Sequence, residues 1–96
     1  MADEDVPEGG PEHAIAARAT KWAAQIQATT SRADRRQRRA DGVATVLTLA
    51  GGRVAHLEAA EAWLRIELDV APGPVREEAV RLVAAALAAA RALPDG

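Results

Sequence analysis

Cysteine is absent from the sequence, which excludes disulfides, thiolate metal sites and cysteine nucleophiles together. Tyrosine and phenylalanine are absent too, and Trp22 and Trp63 are the only aromatic residues. Any core must therefore be aliphatic and closely spaced. There is no asparagine, so only Gln25, Gln27 and Gln37 are amides able to read adenine. The two histidines, His13 and His56, lie far apart in the chain, and no metal site or cofactor is expected. No apolar run approaches the ~18 residues of a membrane span, so no membrane contact is expected. The opening MADEDVPEGGPE is acidic and lacks the apolar stretch of a secretory signal, and a cytoplasmic location follows as the default.

What is present is 96 residues, enough for one core. Twenty-five are alanine, and 11 arginines stand against one lysine. The net charge of −2 hides an asymmetry: residues 1–12 sum to −5 and residues 13–41 to +5. The local field of the basic segment therefore matters more than the whole-chain charge.

Residues 1–11 combine acids with Pro7, Gly9, Gly10 and Pro11 and read as a disordered acidic tail. From Glu12, Ile15, Ala19, Trp22, Ile26 and Ala33 recur at helical spacing. A helix is expected over about 12–40, either continuous or broken near residue 30, where Ser31 and Asp34 resemble a capping box. Asp41-Gly42 is its expected stop. Val43–Ala50 is rich in valine, leucine and threonine, and Gly51-Gly52 is a tight-turn dipeptide, so a strand and hairpin are expected there. Arg53–Ala59 reads as a second strand, although Ala59, Ala60 and Ala62 with Glu58 and Glu61 also suit a short helix. The third strand rests on clean alternation: Ala62, Leu64, Ile66, Leu68 and Val70 against Trp63, Arg65, Glu67 and Asp69. Pro74 then opens a last helix with Glu77 and Glu78 in its first turns. From Leu82 to Ala90 that helix is apolar all round, which points to burial on every side. With only one other helix in the chain, a second subunit is expected to cover it, through Leu82, Val83, Ala86, Leu87 and Ala90.

Candidate chemistry is sparse. Glu77/Glu78 and Glu58/Glu61 are adjacent or near-adjacent acids with structural roles to fill, and His56 and Ser31 have no catalytic neighbours in the sequence. No enzyme is expected. Trp22 reads as a core anchor and Trp63 as a packing or partner surface. The strongest signal is RADRRQRR, residues 32–39. On a helix Arg32, Arg35, Arg36 and Arg39 fall at i, i+3, i+4 and i+7, one ridge, with Arg38 beside it. One reading is a phosphate-binding ridge. The other is a solvated helix end, where arginines favour the C-terminal dipole and pair with Asp34 and Asp41.

The segments GGRVAHLEAAEAWLRIELDV (51–70) and VREEAVRLVAAALAAARA (75–92) make the chain resemble the YbaB/EbfC family of bacterial nucleoid-associated proteins over roughly residues 13–93. The resemblance implies a cytoplasmic, nucleoid-located homodimer joined through its sheets and binding double-stranded DNA with little sequence preference. The same element order occurs in double-stranded RNA-binding domains, but Arg76-Glu77-Glu78 stands where those have a basic helix start. The expectation is an α+β domain over 12–94, α-β-β-β-α with a three-stranded antiparallel meander, dimeric, contacting DNA phosphates through Arg32, Arg35, Arg36, Arg38 and Arg39. The alternative is a dimer that serves as an assembly partner and binds no nucleic acid.

Overall fold

The computed structural model of the chain describes residues 10–93; most of the expected acidic tail lies outside them. Four helices follow one another: α1 (Pro11–Ala28), α2 (Arg32–Leu49), α3 (Val54–Val70) and α4 (Pro74–Ala92). Among the described residues there is no strand. The α+β expectation is therefore wrong, and so is the sheet-joined dimer that the YbaB/EbfC resemblance implied.

The helix ends follow single residues. Pro11 and Pro74 sit in the first turns of α1 and α4, with Glu12 and Glu77 behind them, where a missing N–H and a negative charge both suit the helix start. The basic helix is broken in two. Ser31 caps α2, its hydroxyl accepting the Asp34 N–H at 3.3 Å, and satisfies one of the orphan donors of the first turn. Asp41-Gly42 does not end α2. An added Cβ at Gly42 would lie 3.3 Å from Leu82 and 3.4 Å from Trp22, so glycine there lets α2 run close against α1 and α4. The stop comes at Gly51, whose φ of +63° suits glycine. Gly52 N–H reaches back to Leu47 O, and Gly51 N–H to Thr48 O, closing the helix with a Schellman turn. The two glycines mark a turn, as expected, but between helices.

α1 and α4 form the central pair; α2 and α3 each pack on both and hardly touch one another. Ile15, Ala16, Ala19, Ala23 and Ile26 of α1 meet Ala79, Leu82, Val83, Ala86, Leu87 and Ala90 of α4 in one core. Alanines at these positions allow the two helices to approach closely. The five residues expected at a dimer interface, Leu82, Val83, Ala86, Leu87 and Ala90, are all at most 7% exposed within the single chain. The burial ascribed to a second subunit is supplied within the chain by α1 together with α2 and α3, whose residues 43–49 and 54–70 the strand reading had placed in a sheet.

Why α3 looked like a strand is a matter of geometry. Successive alternate residues on a helix step by about 200°, so they fall on nearly opposite faces. Leu57, Ala60 and Leu64 face the core with Leu68 at its margin, whereas Ala55, Ala59, Ala62, Trp63, Ile66 and Val70 face outward. A helix with apolar residues on two opposite faces reproduces the period-2 pattern of a strand.

Candidate nucleic-acid interface and its anchoring ion pair

The RADRRQRR segment forms the first two turns of α2. This placement changes its electrostatics. Arginines at a helix C-terminus are favoured by the dipole, but Arg32 and Arg35 stand in the first turn of α2, where each meets the positive end at a cost of roughly 0.3–1 kcal/mol. Nor do Asp34 and Asp41 pair with them. Asp41 accepts a hydrogen bond from Gln37 at 3.0 Å, and no salt bridge joins either acid to an arginine. The solvated-end reading fails on both counts.

Arg32, Arg35, Arg36 and Arg39 line one open cleft of about 510 Å³ with Thr30, so the four ridge residues do converge. They do not behave alike. Arg35 Nε donates to the Thr29 carbonyl at 2.5 Å, anchoring the guanidinium across the C-terminus of α1. Arg32 and Arg36 make no hydrogen bond or ion pair among the described residues. Arg38 is turned away, into a separate groove with Trp22, Gln25, Asp34, Gln37 and Asp41.

Arg39 is tied into the bundle. Its Nε donates to Glu78 Oε2 and its Nη2 to Glu78 Oε1, both at 2.9 Å, the bidentate geometry that suits guanidinium and carboxylate. Gln27 Nε2 from α1 donates to the same Oε1 at 3.1 Å, and Arg81 Nη1 stands 3.9 Å away. Glu78 is 1% exposed, and its carboxylate thus joins α1, α2 and α4. The Arg39 hydrogen bonds hold its pKa below the ordinary carboxylate value against the opposing effect of burial, with Gln27 and Arg81 assisting. The same contact raises the Arg39 pKa.

Sequence reasoning treated Glu78 as a first-turn acid and missed this hub. The signal was present. Glu78 lies three residues after Val75 and four before Leu82, on the apolar stripe itself, where a carboxylate needs a buried cation. The ridge also reaches the core. Arg35 and Arg39 share the inward face of α2 with Gly42, Val46 and Ala50, a face that turns from apolar to cationic where the core ends.

Other candidate groups have ordinary places. Glu58 pairs with Arg91 at 2.6 Å and Glu61 with Arg65 at 3.0 Å, all on the surface side of the bundle. The His13 ring packs edge-on against Trp63, with centroids 4.2 Å apart. Among the described residues no helix is long and apolar enough to cross a membrane, and no group of three or more acids and histidines is placed to hold a metal ion. Comparison with protein-family models, with curated proteins and with solved structures gave no match.

Proposed function

We propose that this protein binds the phosphate backbone of double-stranded DNA, with little sequence preference, through the cleft at the α1–α2 junction. The observation that carries this reading is the crowding of Arg32, Arg35 and Arg36 around one cleft at the positive end of α2, with no carboxylate paired to any of them among the described residues. Such an arrangement costs stability in the free protein, and a polyanion offsets that cost. Arg39 contributes shape more than charge, because Glu78 neutralises it. The fixed Arg35 and Arg39 side chains wall the cleft, and Arg32 and Arg36 are left to meet phosphate. Small-molecule sites are mostly apolar and enclosed; this cleft is open and lined chiefly by guanidinium groups. Phosphate contacts of this kind position a protein without reading bases. A cytoplasmic, nucleoid-associated location is the corresponding proposal.

The test is fluorescence anisotropy on short duplexes of unrelated sequence. Changing Arg32→Gln and Arg36→Gln together should weaken binding about tenfold or more, since each lost phosphate contact removes released counterions. Arg38→Gln, outside the cleft, should change it about twofold or less, and all three duplexes of different sequence should bind alike. Equal binding by the double variant and the wild type would refute the cleft as the site. The second reading, an assembly partner without nucleic-acid binding, is favoured by one feature, the apolar outer face of α3.

A further inference from the structure

We infer that the groove between α2 and α4 binds a single-chain anionic amphiphile, with a phosphate head held by Arg81 and Arg39 and a hydrocarbon chain lying over Val43 and Leu82. The groove measures about 500 Å³, and Ala40, Val43, Leu82 and Ala85 line it beside those two arginines. Its size and lining are those of a small-molecule site, mostly apolar with a few polar groups to fix orientation. The polarity is graded along one direction. Arg39 meets Glu78 at one end, and Gly42 packs against Leu82 about one turn further along α2. Leu47 and Ala89, a turn beyond Val43 and Ala85, are half-buried, so the floor stays apolar.

The charged end has donors to spare. A carboxylate offers about four acceptor positions. On Glu78, Arg39 takes one on each oxygen and Gln27 a second on Oε1. Arg81 is left 3.9 Å from Oε1 and makes no hydrogen bond among the described residues. Glu78 thus holds Arg81 at the head of the groove by charge, with its N–H donors unspent. Arg39 Nη1 is likewise without a hydrogen bond among the described residues. Two guanidinium groups against one carboxylate leave this end cationic. Arg39 also lines the arginine cleft with Arg36, so the positive field continues past the end of the groove. That field suits a phosphate, which carries more charge than a carboxylate and accepts bidentate guanidinium bonds.

The apolar end fits a thin chain better than a protein partner. Protein interfaces are anchored by large side chains set into pockets. Here the exposed rims are Ala40 and Ala85, while the larger groups are recessed, Leu82 at 2% exposure and Val43 half-buried. The large hydrophobic residues that the described chain exposes, Leu49, Trp63, Ile66, Val70 and Leu93, all lie outside this groove. A recess with small rims admits a hydrocarbon chain and gives a docking helix few anchors. Nucleic acid has no apolar chain to fill it. Amphiphile binding here therefore does not depend on DNA binding by the arginine cleft, although Arg39 borders both.

Isothermal titration calorimetry with monodecyl phosphate, kept below its micelle concentration, tests the site. The wild type should bind one molecule per chain. Monooctyl phosphate should bind roughly tenfold more weakly, as the loss of two buried CH2 groups requires. Decanol, which lacks the charge, should also bind about tenfold more weakly or worse, and decanoate more weakly than the phosphate. Arg81→Gln and Ala85→Glu should each weaken binding about tenfold or more. Both positions are exposed, so helical circular dichroism should not change. Ile66→Glu on α3, outside the groove, should bind like the wild type, which separates the groove from adsorption on exposed apolar surface. Absent saturable binding, decanol or decanoate binding as tightly as the phosphate, wild-type affinity in either groove variant, or an equal loss in Ile66→Glu would each overturn it.

Discussion

Replacing Arg39 by alanine is expected to cost about 3 kcal/mol of folding stability, although the side chain is 44% exposed. The figure comes from the partner left behind. Glu78 is 1% exposed and Arg39 44%, so removing Arg39 strands a buried carboxylate, for which the range is about 3–5 kcal/mol when both partners are buried. The lower end applies because Gln27 still donates to the carboxylate and Arg81 stands 3.9 Å away. In a domain this small about 3 kcal/mol lowers the melting temperature by roughly 12–24 °C. Changing Arg39→Met and Glu78→Leu together should cost less than Arg39→Ala alone, since no charge is then stranded. Acid acts on the same pair from the other side. Arg39 holds Glu78 below the ordinary carboxylate value, so its folded pKa is lower than its unfolded one. The resulting stabilisation is complete above the unfolded value of about 4.3 and is lost as pH falls through the folded value. Urea unfolding of the wild type should show that acid loss, and Glu78→Gln should remove the part due to this group. An Arg39→Ala variant as stable as the wild type would contradict the hub.

Leu64→Ala and Ile66→Ala are expected to differ sharply, although the two residues share one face of any strand. Leu64 is 1% exposed, packed among the core residues of α3 and α4, whereas Ile66 is 59% exposed. Truncating the first leaves a cavity and should cost about 2–5 kcal/mol. Truncating the second should change the stability of the single chain by less than about 0.5 kcal/mol. Denaturant unfolding at low protein concentration, where association does not contribute, separates the two. Similar costs at both positions would favour the strand arrangement over the helix.

These two pairs of residues also show what the sequence made legible. Helix starts at Pro11 and Pro74 could be read because one residue at each supplies the local chemistry, whereas the capping pair Ser31 and Asp34 left a break near residue 30 as one of two alternatives. Residues 43–50 could not, because β-branched valine and threonine favour strands only weakly and packing decides. Val46 and Ala50 point inward at helical spacing against α1 and α4, and that contact outweighs propensity. Residues 54–70 misled for a different reason: outward-facing Ile66 and Val70 alternate with inward-facing Leu64 and Leu68. The arginine cleft was legible from spacing alone, since i, i+3, i+4 and i+7 converge on any helix. Its division into free Arg32 and Arg36, anchored Arg35 and neutralised Arg39 was not, because Glu78 and the Thr29 carbonyl come from other elements.

The salt dependence of DNA binding tests the phosphate-cleft account most directly. Three uncompensated arginines, Arg32, Arg35 and Arg36, should neutralise up to three phosphates per chain, giving a slope of log affinity against log salt of about −3 per bound chain on duplex DNA. Arg39 adds nothing to that slope while Glu78 holds it. The double change Arg32→Gln and Arg36→Gln should flatten the slope to about −1. A wild-type slope near zero, or one that the double change leaves untouched, would contradict the account.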